Sequence, residues 1–179
     1  MQVRIMGMRL LFIGDSLTEF FDWTSRFQEH AVHNLGIAGE TVEGLYRRLP
    51  GVCRRVGQAD CIFIMSGINN LSMEDKGFIG TYRRIVRDLA DCYPSARIFV
   101  QSLLPALYPF ISNADVDEMN VLLKGLAQEE GAGYLDIHSL FLGEDGRPDP
   151  SLLDEDGVHL SGKGYIVWSG EIERLLRRQ

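Results

Sequence analysis

Four short stretches carry residue types that could do chemistry together. The first is Gly14-Asp15-Ser16-Leu17-Thr18, directly after an apolar run at 8–13. A serine at a strand-to-helix turn presents its hydroxyl at the edge of a sheet. Its amide lies where the partial positive charge of a helix N-terminus favours an oxyanion. The same residues also read as a capping box, Ser16-x-x-Glu19, which needs no catalytic role. The turn could equally cradle phosphate, as in flavodoxin-like domains. The second stretch, Asn34-Leu35-Gly36-Ile37-Ala38-Gly39 followed by Glu40-Thr41, offers glycines that let backbone N–H groups approach a ligand. It also reads as a tight turn with Thr41 capping the next helix. In the third, Ser66-Gly67-Ile68-Asn69-Asn70, an asparagine side chain can donate a neutral hydrogen bond to a developing oxyanion, or simply form a turn. In the fourth, Asp156-Gly157-Val158-His159, a carboxylate three residues before a histidine can hold one ring nitrogen while the other moves a proton. A surface aspartate and a capping histidine are the plain alternative.

Those residues need elements to bring them together. Short apolar runs at 8–13, 31–35, 60–65, 97–101 and 134–137 predict five strands. Between them, apolar residues recur at three and four positions, predicting helices over 17–30, 41–56, 74–91, 115–130 and 161–178. The first carries a Phe20/Trp23/Phe27 stripe. Alternating strands and helices imply crossover connections, a parallel sheet and a three-layer αβα sandwich. The expected fold class is therefore α/β with a flavodoxin-like five-stranded parallel sheet. In such sheets ligands bind beyond the carboxyl ends of the strands. All four stretches fall there, or in the loop that returns there. That loop, 143–157, has six acidic residues, two prolines and a single arginine, and is expected to lack regular structure on the surface.

Composition narrows the partners. The 179 residues suit one domain over 1–179 with a sizeable core. A net charge of −7 repels phosphate backbones and anionic lipid, so neither nucleic acid nor a membrane surface is expected as a partner. No apolar run approaches a membrane span, and residues 1–10 lack a signal-type apolar region, which gives an expectation of a cytoplasmic protein. Three cysteines (Cys53, Cys61 and Cys92), odd in number and without a C-x-x-C, are expected to be buried reduced thiols.

The four stretches together resemble the SGNH hydrolases, a GDSL-like lipase/acylhydrolase family. Its blocks centre on a serine in G-D-S, a glycine, an asparagine and a D-x-x-H. Here they stand in family order as Gly14-Asp15-Ser16, Gly39, Asn69 and Asp156-x-x-His159, spanning nearly the whole chain. The resemblance implies a serine esterase acting on small or short-chain esters through an acyl-enzyme, without a cofactor. In it Ser16 is the nucleophile, His159 the base and Asp156 its orienter. The amides of Ser16 and Gly39 and the side chain of Asn69 form the oxyanion hole. Where many members carry Asn-Asp, this chain has Asn69-Asn70, a version also seen in acetylhydrolases resembling the platelet-activating-factor enzymes. Lysophospholipase or thioesterase activity is the alternative within this chemistry; a phosphate- or nucleotide-binding module is the alternative outside it.

Other candidates rank lower. His30-x-x-His33 lacks a third ligand at motif spacing, so no metal is expected. His138 has no aspartate three residues before it, and Asp154 stands five from His159. Two apolar clusters, Phe20-Phe21…Trp23 and residues 103–110, flank the expected site and could line an acyl pocket. The second could equally form a contact between copies of the chain, so a homo-oligomer is compatible with the sequence.

Overall fold

The computed structural model describes residues 7–178. Its centre is a sheet of five parallel strands in the order β2-β1-β3-β4-β5, with β1 Arg9–Gly14, β2 Ala31–Gly36, β3 Cys61–Met65, β4 Arg97–Gln101 and β5 Gly133–Leu135. The middle strands are buried almost throughout, as continuous apolar strands covered on both faces must be. Register places Phe12, Phe63 and Phe99 side by side, and their rings stack at 5.1 and 5.3 Å. Trp23 stacks on Phe12 at 4.2 Å and meets Trp168 edge-on, so α2 (Trp23–Arg26) and α7 (Gly162–Arg177) cover that face. The α3 (Val42–Arg55), α5 (Ile79–Cys92) and α6 (Asn113–Glu129) helices pack side by side. The α/β expectation holds, and the strand order puts the crossover reversal between β1 and β3, where such sheets bind ligands.

Two expected helices differ. The segment 17–30 is two short helices, α1 (Ser16–Glu19) and α2, rather than one. The carbonyls that would continue α1 are taken by side chains. Trp23 Nε1 donates to Thr18 O, and Asn34 Nδ2 lies within hydrogen-bond distance of the carbonyls of Thr18, Glu19 and Phe21. Asp22 then caps a new start by accepting the Ser25 amide. The helix expected over 74–91 begins only at Ile79, because Glu74 adopts φ 59° and Asp75 closes a turn on the Gly77 amide. One short helix, α4 (Ile68–Ser72), has no counterpart in the sequence reading. The last strand stops at Leu135 because Ser102 Oγ draws in the amides of Ile137 and His138.

The cysteine expectation is overturned. Cys53 and Cys92 form a disulfide, with Cα atoms 6.0 Å apart, and only Cys61 is a free buried thiol. Both bridged residues sit in the last turns of α3 and α5, and the packing of those helices brings their ends together. Such bridges persist in oxidising surroundings, so this one lends no support to a cytoplasmic location. Among the described residues no helix is long and apolar enough to cross a membrane.

The 143–157 segment is also more ordered than expected. It contains a 3₁₀ turn at Pro150–Leu152 and is closed by bridges pairing Leu142 with Pro148 and Leu153 with Leu160.

Candidate active site

Ser16 opens α1 immediately beyond β1, and it is not the cap. Asp15 holds that position and accepts the Leu17 amide at 3.1 Å, while the Glu19 carboxylate accepts the Ala38 amide at 2.6 Å. The capping-box reading therefore fails for both of its residues. With Asp15 doing the capping, the Ser16 hydroxyl is left to face the cleft. It lies 2.9 Å from His159 Nε2.

His159 is held from behind. Its Nδ1 lies 2.5 Å from Asp156 Oδ2, and Asp156 Oδ1 accepts the amides of Val158 and His159 at 2.9 Å each. This arrangement makes Nδ1 the protonated nitrogen and leaves Nε2 to accept from Ser16. Burial pushes the Asp156 carboxyl up, but the His159 ring and the two amides outweigh it and hold the group at about 2. Asp156 is thus ionised throughout the neutral range.

The loop bearing this pair is pinned to the chain after β4. Gly157 O accepts the Leu107 amide at 2.7 Å, and Asp154 N donates to His159 O at 2.7 Å. Gly157 has φ 72°, and a β-carbon there would stand 2.8 Å from the Leu107 carbonyl carbon. Glycine is required on both counts. Asp154, the alternative orienter, spends its side chain on the Glu155 amide.

The other two stretches arrive from β2 and β3. Gly39 sits in the β2–α3 loop at φ 74° with open space around its α-carbon, and Thr41 caps α3 through the Gly44 amide. Asn69 lies in the first turn of α4. One proton of its Nδ2 goes to Glu40 O at 3.0 Å, and the other has no acceptor among the described residues. Asn70 is buried and structural: it accepts the Val42 amide and donates to Glu43 and Asp75. An aspartate there could not make those donations.

Ser16, Gly39, Asn69, Asp156 and His159 all line one cleft of about 470 Å³. Its apolar wall is Phe20, Ile68, Tyr108, Ile111 and Val158. Phe20 is more than half exposed and lies 5.2 Å from the His159 ring. Of the two expected apolar clusters, each contributes only its outer members, because Trp23, Leu103, Leu104 and Ala106 are buried in the core. The sequence reading missed Ile68, Ile111 and Val158. Ile68 and Val158 were within reach, as residues inside the third and fourth stretches themselves.

The lower-ranked candidates lie elsewhere. His138 approaches Asp117 at 3.4 Å and does not line the cleft. His30 Nδ1 accepts the Met8 amide, and no cluster of three or more potential metal ligands occurs among the described residues.

Beneath the nucleophile, Asp15 is fully buried and its Oδ2 has no partner among the described residues. Burial raises its carboxyl to about 7, against the pull of the Leu17 amide and His159, and the nearby Glu40 carboxylate adds to the rise.

Comparison with known proteins bears on the fold and the family. Solved structures of high similarity include a protein from Streptococcus pneumonia provisionally described as a platelet activating factor (TM-score 0.86, 23% identity, covering 98% of this chain and 86% of that one). They also include a GDSL-like lipase from Bacteroides thetaiotaomicron (0.78, 20%, 96% and 88%). A third is an acetylxylan esterase from Geobacillus stearothermophilus (0.73, 23%, 94% and 94%). At these identities the likeness establishes the fold. No curated protein sequence matches the chain. The model of the GDSL-like lipase/acylhydrolase family matches residues 12–167, most of the chain and all four stretches, and the chain belongs to that family of hydrolases.

Proposed function

We propose that the protein is a serine esterase that hydrolyses carboxylic esters of small or short-chain acyl groups. The observation that carries this reading is the unbroken chain from Ser16 Oγ through His159 to Asp156 at 2.9 and 2.5 Å. His159 Nε2 takes the Ser16 proton as Oγ attacks the ester carbonyl carbon. The carbonyl oxygen becomes an oxyanion, facing the amides of Ser16 and Gly39 and the Asn69 side chain. Collapse of the tetrahedral intermediate breaks the bond to the alcohol, which leaves with the proton from His159. Water, deprotonated by the same nitrogen, then releases the acid and restores Ser16. Asp156 stays ionised throughout and stabilises the imidazolium.

The cleft has the room and the apolar wall to hold the acyl and alcohol portions of a small ester. Exposed Leu107 and Phe110 nearby are what a lipid-directed activity would use, so lysophospholipase or thioesterase activity is the second reading. A phosphate-binding module is disfavoured by Asp15, whose carboxylate already caps the turn that would hold the anion. A carbohydrate O-acetyl ester, of the kind named for the Geobacillus enzyme, is one member of the short-acyl class.

The test is hydrolysis of p-nitrophenyl esters from acetyl to palmitoyl by wild type and Ser16→Ala. Wild-type activity that is strongest on acetyl or butyryl and absent in the variant supports the reading. Preference for long chains favours the lipid-directed alternative. Equal activity in both proteins overturns the assignment of Ser16.

A further inference from the structure

Resting on the esterase reading, we infer that Arg48 is a positioning residue for the oxyanion side of the site, acting through Glu40. Glu40 adjoins two of the three donors, Gly39 and Asn69, by its place in the chain. Its own carbonyl accepts the Asn69 side chain at 3.0 Å, and Gly39 is its immediate neighbour. The loop is closed by Glu40 N donating to Ile37 O, and Ala38 N is drawn to Glu19. What remains to be fixed is the Glu40 end.

Arg48 fixes it from α3. Its Nε and Nη2 fork the two Glu40 carboxylate oxygens at 2.7 Å each, and Nη2 also donates to Leu35 O at 2.7 Å. One guanidinium thus ties the loop holding Gly39 to the end of β2. The planar fork sets orientation as well as distance, which a lysine ammonium cannot do.

The pair also sets the local field. The Glu40 side chain is only 9% exposed, and its charge reaches the nucleophile turn, where it disfavours ionisation of Asp15. A bare carboxylate there would oppose the negative charge that develops on the substrate oxygen. The Arg48 guanidinium offsets it. Losing Arg48 therefore harms the site twice, by freeing the loop and by leaving a nearly buried carboxylate unpaired.

The experiment uses Arg48→Met, Arg48→Lys and the double variant Arg48→Met/Glu40→Gln beside wild type and Ser16→Ala. The measurements are kcat and KM for p-nitrophenyl acetate and the inhibition constant of butylboronic acid, which forms a charged tetrahedral adduct on a catalytic serine. Arg48→Met is expected to lower kcat roughly 10-fold or more while KM moves less than about 3-fold, and to weaken the boronate by a similar factor to kcat. Arg48→Lys should fall between. The double variant should regain part of the lost kcat, since the unpaired charge is gone. Should Arg48→Met not fold, the other two variants decide by the same ratios. The inference is overturned if kcat and boronate affinity stay at wild-type values in the folded variants, or if the double variant is no better than Arg48→Met. An active wild type with an inactive Ser16→Ala separates that failure from a failure of the esterase reading itself.

Discussion

Removing the Cys53–Cys92 bridge, by reduction or as Cys53→Ser/Cys92→Ser, should lower stability without touching catalysis. The bridge closes a loop of 39 residues. On the chain-entropy relation, fixing such a loop removes roughly 13 cal/mol/K from the unfolded chain, about 3.9 kcal/mol at 25 °C. For a chain of this length each kcal/mol moves Tm by roughly 2–4 °C, so the expected fall is about 8–16 °C. Activity at 25 °C should be unchanged, because the helix ends carrying both cysteines lie at the opposite end of the sheet from Ser16 and His159. Thermal unfolding with and without reductant measures the first expectation, and kcat/KM below the transition measures the second. Thiol labelling of the denatured, unreduced protein should find one free cysteine, Cys61. Three labelled thiols in protein made under oxidising conditions, or a variant melting within about 2 °C of wild type, would refute the reasoning.

Further expectations attach to single residues. Asp156→Asn should lower kcat on the order of 10²-fold or more with little change in KM, since the imidazolium loses its countercharge; an unchanged kcat would remove Asp156 from the triad. Because Asp156 is held at about 2, it should add no inflection above pH 4 to the wild-type kcat/KM profile. Asp15 behaves oppositely in stability. Its folded value of about 7 lies above the ordinary 3.8, so its contribution is full below the lower value and lost as pH rises through the upper one. Wild type should therefore lose more Tm between pH 5 and 8 than Asp15→Asn does, and parallel curves would contradict the buried placement of that carboxyl. Gly157→Ala should cost about 1–3 kcal/mol in stability and also lower kcat, because a strained backbone there displaces Asp156; an unaltered Tm would argue against the close approach to Leu107.

Much of the site was legible because its chemistry is local to strand ends. A strand such as 61–65 advertises itself by continuous apolar residues, and Asp156-x-x-His159 closes within a single turn. What escaped reading depends on contacts between distant segments. Nothing near Phe20 says that Asn34, on the neighbouring strand, will take the carbonyls needed to prolong α1. The five residues of α4 are too few to show a period. Cys53 and Cys92 have unremarkable spacing, and only the side-by-side packing of α3 and α5 makes them partners. Glu40 and Arg48 stand eight residues apart, and nothing in that spacing says that one guanidinium will bridge the Glu40 carboxylate and Leu35 O. The cap at Asp15 was readable in principle, since aspartate favours that position as strongly as serine does.

The hydrogen bond from Leu107 to Gly157 bears on how this enzyme can diversify. It makes the wall of the cleft around Tyr108 and Ile111 continuous with the loop that carries Asp156 and His159. Insertions or deletions on that side would shift the base along with the pocket, and selection would reject most of them. Phe20, more than half exposed, meets His159 only through its ring and lies outside the 103–111 connection. New substrate ranges in a lineage built on this plan should accumulate first on the Phe20 side, leaving the length of the 103–111 connection nearly constant.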